Sequence, residues 1–212
     1  VINPPADIEV PLVYITMEPR DNLPVVTVNN YLGGRMAMTH LLEQGYRRIG
    51  HISGPLDWWE ARQRMAAWKD ALIEAGLEVR DSHCVDGNWS SASGALAIEK
   101  LFDQYPDMDA IFVANDQMAL SVLQFCSENQ IRVPEDMGVV GFDNIAESAF
   151  FSPALTTVQQ DQHYVAKVAV AEAIKIIEAG WQELDPVEPT SVILPPTLIV
   201  RQSSLRSSEG GE

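Results

Sequence analysis

The sequence predicts a doubly wound α/β fold, a parallel sheet with helices on both faces. Three observations carry this prediction. Short apolar runs alternate with segments of helical spacing along most of the chain. Runs such as Ala110-Ile-Phe-Val-Ala114 and Met137-Gly-Val-Val-Gly-Phe142 are continuously apolar, the pattern of strands buried on both faces. The helical segments end at glycines, Gly45, Gly76 and Gly180, where a left-handed residue closes a helix.

Taken in order, Pro11 to Ile15 and Val25 to Val28 read as strands. Tyr31 to Glu43 has helical spacing, with Met36, Ala37, His40 and Leu41 on one stripe. Arg48 to Ser53 is the next strand, and a long helix from about Trp59 to Ala75 buries Ala61, Met65, Trp68 and Leu72. Cys84-Val85 opens a short strand that runs into the loop Asp86-Gly-Asn-Trp-Ser90. A helix from about Ala92 to Tyr105, the strand from Ala110, a helix over Asn115 to Asn129 and the strand from Met137 follow. After Pro153 the rhythm changes: a very short strand at Thr156 to Val158, then a helix capped by Asp161 with Val165, Val168, Ala169, Glu172, Ile176 and Ile177 on one face. Trp181 to Pro189 reads as a loop, and strands at Val192 to Leu194 and Leu198 to Arg201 flank Pro195-Pro196. Ser203 to Glu212, rich in Ser, Gly and Glu, reads as a frayed tail.

Composition narrows the function. The 212 residues carry 14 basic and 30 acidic side chains, a formal net charge of −16, with 46% hydrophobic residues. That describes a folded chain and argues against direct grip on a phosphate backbone, which needs a concentrated basic surface. No stretch is apolar enough to span a membrane. Cys84 and Cys126 are too few for a disulfide framework and read as reduced thiols of a cytosolic protein. Val1 to Glu9 has neither a basic lead nor an apolar core of a signal peptide. The first strand follows only a Pro-rich scrap, which suggests a fragment whose N-terminal part is not represented.

In open parallel sheets ligands bind beyond the carboxyl ends of the strands. The residues there are Thr16, Asn29 and Asn30, Ser53-Gly-Pro55, Trp89, Asn115-Asp116, Asp143-Asn144 and Gln159-Gln160. Amides and carboxylates bond well to hydroxyls, and an indole face covers the C–H face of a sugar ring. Arg64, four residues before Trp68, can point into the same crevice and present a planar fork to vicinal hydroxyls or a carboxylate. Each residue has a plainer reading: Asn115 as a helix N-cap, Asp143 as a turn former, Arg64 paired with Glu60 on the helix surface. Trp89 is harder to dismiss, since a loop indole is costly to expose. His40, His51, His83 and His163 read as structural, and Met36, Met65 and Met118 as core. No nucleophile–base pair, phosphate loop or metal-spaced cluster appears, so neither an enzyme nor a cofactor is expected.

The segments Val28-Asn-Asn-Tyr-Leu-Gly-Gly-Arg35, Gln44-Gly-Tyr-Arg-Arg-Ile49, Ile52-Ser-Gly-Pro55 and Ala61-Arg-Gln-Arg64 belong together with a second group in family order. That group is Val113-Ala-Asn-Asp-Gln-Met-Ala-Leu120, Arg132-Val-Pro-Glu-Asp136, Val139-Val-Gly-Phe-Asp-Asn144, Pro153-Ala-Leu-Thr-Thr-Val158 and Leu194-Pro-Pro-Thr-Leu-Ile-Val-Arg201. With them the chain resembles the effector-binding part of the lactose-repressor/galactose-repressor (LacI/GalR) family of bacterial transcription regulators. The resemblance implies a periplasmic-binding-protein-like fold of type I, with two subdomains joined by crossing strands and a small-molecule effector in the cleft between them. On this mapping residues 1–28 are a remnant of the N-terminal subdomain and 29–155 the C-terminal one. Residues 156–190 supply the crossover strand and helix of the N-terminal subdomain, 191–202 the final strands of the C-terminal one, and 203–212 a disordered tail.

By position, Arg64, Trp89, Asn115, Asp143, Gln160 and Thr16 fall where family members contact their effector, with no metal site. Thr16 stands where many sugar-binding members carry aspartate. Asp143-Asn144 and Asn29-Asn30 likewise depart from the usual Asp-Asp and Asp-Asn. The resemblance further implies a cytoplasmic homodimer that represses transcription, senses a sugar or similar polar metabolite, and meets operator DNA through a helix-turn-helix absent from this sequence. A periplasmic sugar-binding protein of a transporter, which shares the two-lobed fold, is the alternative.

Overall fold

A computed structural model describes residues 10, 12–15, 18–21, 23–181 and 191–206. The opening scrap, Thr16, the 182–189 part of the expected loop and the 207–212 part of the expected tail lie outside the described residues. The chain divides into two compact units, one of Asn29–Gln160 with Pro195–Glu212, the other of Val1–Val28 with Asp161–Leu194.

The larger unit is built on a sheet of six strands. These are β3 (Ile49–Ser53), β4 (Cys84–Asp86), β5 (Ala110–Val113), β6 (Gly138–Asp143), β7 (Thr156–Gln159) and β9 (Thr197–Ile199). Their spatial order is β4-β3-β5-β6-β7-β9, with every pair parallel except β9 against β7. Helices α1 (Asn30–Glu43) and α2 (Trp59–Glu74) cover one face, and α3 (Ser91–Gln104) and α4 (Asp116–Glu128) the other.

Strand parity divides the core. Ala110, Phe112, Val140 and Phe142 pack with Leu41, Trp68 and Leu72 on the α1–α2 side. Ile111, Val113 and Val139 pack with Ile98, Leu101, Met118 and Val122 on the other side. Both faces of each central strand are therefore dry, which is why these runs are continuously apolar.

The smaller unit pairs β1 (Tyr14–Ile15), β2 (Val25–Val28) and β8 (Ser191–Leu194) in parallel, in the order β1-β2-β8. Helix α5 (Gln162–Trp181) buries Val165 and Ala169 against Val26, Val28 and Leu194. Asp161 caps it by accepting from the Tyr164 amide at 2.9 Å, as the sequence suggests.

The structure departs from the expected organisation at the start of the expected tail, where Ser203 and Ser204 are buried and the Ser203 hydroxyl donates to the Val139 carbonyl at 2.6 Å, and at two strands. The strand at 156–159 pairs with β6, so it sits in the larger sheet and the division falls after Gln160. The strand at 191–194 pairs with β2 and joins the smaller unit, leaving 197–199 alone to return to the larger one. On α1 the buried methionine is Met38, with Met36 half-buried. On α2 Met65 is half-buried, and Arg64 takes the inward position expected of it. The rest of each expected stripe, Ala37, His40 and Leu41 on α1 and Ala61, Trp68 and Leu72 on α2, is buried as read.

Candidate functional site

The carboxyl ends of β3, β5 and β6 open onto the polar residues that the sequence singles out, and Arg64 is their hub. It lies one turn before Trp68 on the inward stripe of α2, and only 4% of it is exposed. Its Nε donates to Asn30 Oδ1 at 2.9 Å and its Nη1 to the Ala114 carbonyl at 2.5 Å. The guanidinium sits 3.6 Å above the Phe142 ring and 5.6 Å from the Trp89 ring, so two aromatic faces supply cation–π attraction to a charge held out of water. Asp143 Oδ1 stands 3.7 Å from Nη1. Burial pulls the Arg64 pKa down, opposed mainly by Asp143.

Asp143 ends β6 and has φ 112°, and Asn144 follows at φ 53°, two consecutive non-glycine residues in left-handed territory. The Asp143 carboxylate accepts from Gln160 Nε2 at 2.7 Å. Desolvation raises its pKa, although Arg64 and Gln160 both work against the shift. The turn is held at several points. The Asn144 amide donates to Thr157 Oγ1 at 3.2 Å, and Asn144 Oδ1 accepts from Arg201 Nη2 at 2.8 Å.

Asn115 is the helix N-cap of its plainer reading and also ties the Trp89 loop to that helix. Its Oδ1 caps α4 by accepting from the Met118 amide at 3.0 Å, and its Nδ2 donates to the Trp89 carbonyl at 2.8 Å. The indole of Trp89, itself at φ 73°, lies over Gly54: a Cβ added there would come within 2.1 Å of the ring. Trp58 meets that ring edge-on at 6.1 Å, and among the described residues the buried Trp89 Nε1 has no hydrogen-bond partner.

Asp116 is fully buried at the first position of α4. It accepts from Thr157 Oγ1 at 2.6 Å and from the Ile145 amide at 3.0 Å. Burial pushes its pKa up to about 7 against these donors.

The structure thus brings together Arg64, Trp89, Asn115, Asp143 and Gln160. Thr16 lies outside the described residues. Asn30 and Asp116 are on the rim that the sequence marks, yet without an assigned part. Phe142 and Thr157 are missed altogether. Phe142 reads as ordinary strand core, and only the position of Arg64 turns its ring into a cation platform. The histidines at 40, 51 and 83 have structural settings: His40 bonds Ser204 Oγ, His51 bonds the Phe112 carbonyl, and His83 stacks on Tyr105 at 3.8 Å. Cys84 and Cys126 are free thiols, and burial pushes them up to about 11 and about 12. Among the described residues no group of three or more His, Cys, Asp or Glu side chains is placed to hold a metal ion.

A parallel sheet wound on both faces, with a polar and aromatic cluster at its carboxyl rim, defines a periplasmic-binding-protein-like α/β unit. The family described as the periplasmic binding protein-like domain matches residues 38–204, and the chain belongs to it. Within that class its relatives are repressors of the lactose-repressor kind. The HTH-type transcriptional regulator CelR of Thermobifida fusca is 32% identical over 185 residues, 87% of this chain and 53% of that protein. The lactose operon repressor of Klebsiella pneumoniae is 35% identical over 191 residues, 90% of this chain and 52% of that protein. Among solved structures, the CelR–cellobiose complex matches with a TM-score of 0.81 at 32% identity, covering 90% of this chain and 58% of that one. The chain spans about half the length of these curated relatives.

Proposed function

We propose that this chain is the effector-sensing part of a cytoplasmic bacterial repressor, that its ligand is a sugar or similar hydroxyl-rich metabolite, and that Arg64, Trp89, Asn115, Asp143, Gln160 and Thr16 contact it. The observation that carries the reading is the convergence of a buried guanidinium, a carboxylate and two amides beside an indole face. A diol needs fixed donors and acceptors together, and a sugar ring needs an apolar wall. The Trp89 Nε1, without a partner among the described residues, is a further donor for a ligand oxygen. The cellobiose bound to CelR supports the sugar class.

The rest of the protein is proposed to follow the pattern of these relatives: a homodimer that reads operator DNA through a segment outside this chain and performs no catalysis. Effector binding then acts by a differential affinity for two states, typically worth ~1–3 kcal/mol. The test is a thermal-shift screen of monosaccharides and disaccharides, cellobiose included, followed by calorimetry. A ligand at a hundred times its Kd stabilises by about 2.7 kcal/mol, which appears as a clear rise in Tm. Trp89→Ala is expected to weaken the sugar at least about tenfold, the loss of ~1.4 kcal/mol of ring contact, with an unchanged far-UV spectrum. Equal affinity in the two proteins would remove Trp89 from the site.

A further inference from the structure

Asp116 needs an explanation that helix capping does not give. An acidic residue in a first helical turn is stabilising while its charge stays solvated, yet this one is wholly buried and reaches away from its own helix. Its two oxygens divide between neighbouring elements, Oδ1 accepting from Thr157 on β7 and Oδ2 from the Ile145 amide just past β6. Gly141 leaves room for it, since a Cβ there would stand 2.3 Å from Oδ1. The segment clamped in this way is the left-handed Asp143-Asn144 turn, which carries the carboxylate facing Arg64. Strained turns of this kind persist only where their surroundings over-determine them.

We propose that Asp116 is a positioning residue for the candidate effector site: from the start of α4 it fixes the Asp143-Asn144 turn, and through it the distance between the Asp143 carboxylate and Arg64, in a manner that depends on its own ionisation. The assignment of that site to an effector rests on the reading above; the clamp itself does not. As a carboxylate Asp116 accepts on both oxygens. Once protonated, Asp116 either turns a donor onto the Ile145 amide and loses that bond, or reverses its bond with Thr157 Oγ1, which already accepts from the Asn144 amide, so its hold on the turn changes. Burial raises the Asp116 pKa to about 7, which puts this change near neutrality.

The charged groups that face Asp116 come from several elements. Asp143 on β6 carries like charge, and Arg64 on α2 carries opposite charge. Arg201 lies beyond, engaged with Asn144 Oδ1, Ser148 Oγ and the Leu155 carbonyl.

The test is a ligand-free pH titration of backbone amides and the Arg64 Nε–H by nitrogen-15 correlation spectroscopy, from pH 5.5 to 8.5. In the unsubstituted chain the Ile145, Asn144 and Arg64 signals are expected to shift together with one midpoint near neutrality. Asp116→Asn, which keeps the shape and one acceptor, is expected to fold and to leave these signals flat. Asp143→Asn, which removes the other titrating carboxylate, is expected to retain the Ile145 shift. A flat Ile145 signal in the unsubstituted chain, or a titration that survives Asp116→Asn, would overturn the proposal. Sugar binding has no part in these readouts, so a failed sugar screen and a failed clamp give different results.

Discussion

Arg64 sits where a charge is costly, and its surroundings show how the cost is offset. The sequence leaves two settings open, an ion pair with Glu60 on the helix surface or a place in the crevice. The spacing Ala61, Arg64, Trp68, Leu72 decides between them, because it is a helical stripe and its other members are core. Arg64 follows them inward and spends its donors on Asn30, on the Ala114 carbonyl and, more distantly, on Asp143. Arg64→Met is expected to fill most of the volume while leaving Asp143 without its cation and Ala114 without its donor. Breaking a buried pair from one side costs about 3–5 kcal/mol, and the 29% exposure of the Asp143 side chain places this one at the low end, about 3 kcal/mol. Arg64→Lys should cost less but still weaken ligand binding, since one ammonium cannot reproduce a fork aimed at two acceptors. Urea unfolding measures the first effect and calorimetry the second. A Met variant as stable as the parent would mean that the guanidinium is not bound into the core in solution.

At the scale of elements, close approach of helices rests on missing side chains. Helix α1 meets α2 at Gly34, where a Cβ would stand 2.7 Å from that of Ala67, and α3 meets α4 at Gly94, 2.7 Å from the Met118 Cα. A glycine inside a helix is a poor choice by propensity, by about 1 kcal/mol against alanine, so its presence points to packing. Gly94→Ala is therefore expected to destabilise despite the better propensity, because the obstacle is backbone that cannot rotate away. Overpacking costs ~1–3 kcal/mol, and at this chain length each kcal/mol lowers Tm by roughly 2–4 °C. A scanning-calorimetry Tm unchanged or raised in Gly94→Ala would contradict the crossing geometry.

Most elements were legible in the sequence for a local reason: helical spacing, continuous apolar strands and glycine stops are written into neighbouring residues. The partner of a strand is not. Thr156–Gln159 and Ser191–Leu194 look alike as short β-branched runs, and their assignment to different sheets depends on pairing, the first with β6 just before it and the second with β2 at the other end of the chain. The candidate site shows the same divide. Rim position exposed Arg64, Trp89, Asn115, Asp143 and Gln160 to view, while Phe142 and Thr157 acquire their parts only through tertiary contact.

For the whole molecule, the buried titratable groups set opposing slopes of stability against pH. His51 is stacked between Trp68 and Phe112 and bonded to the Phe112 carbonyl, and burial lowers its pKa to about 4. The folded chain then binds fewer protons than the unfolded chain between about pH 6.5 and 4, so His51 makes stability fall as pH drops through that window. His40 and His83 are lowered by burial too and act in the same sense. Asp116 acts the other way. Its pKa is raised to about 7, so the folded chain holds a proton that the unfolded chain has released. Its contribution is fully present below about pH 4 and is lost as pH rises towards 7. Each slope is worth on the order of 3–4 kcal/mol over its window, and in the unsubstituted chain they largely cancel between pH 4 and 6.5.

Asp116→Asn removes only the second slope. Its unfolding free energy is expected to fall more steeply than that of the parent as pH drops from 6.5 to 4, and to equal or exceed the parent at pH 8, where the parent holds a buried carboxylate. A gain in stability at pH 8 would fit a residue kept for positioning at some cost to the fold, as functional sites often are. His51→Gln is the reciprocal case: it removes the large opposing slope and leaves only those of His40 and His83, so its unfolding free energy should fall less than that of the parent, or rise, as pH drops from 6.5 to 4. Urea denaturation at pH 4.5, 5.5, 6.5 and 8 reads all three proteins. Parallel profiles for the parent and Asp116→Asn would mean that Asp116 titrates in the folded chain much as it does in the unfolded one, and that the charge at the start of α4 is solvated after all.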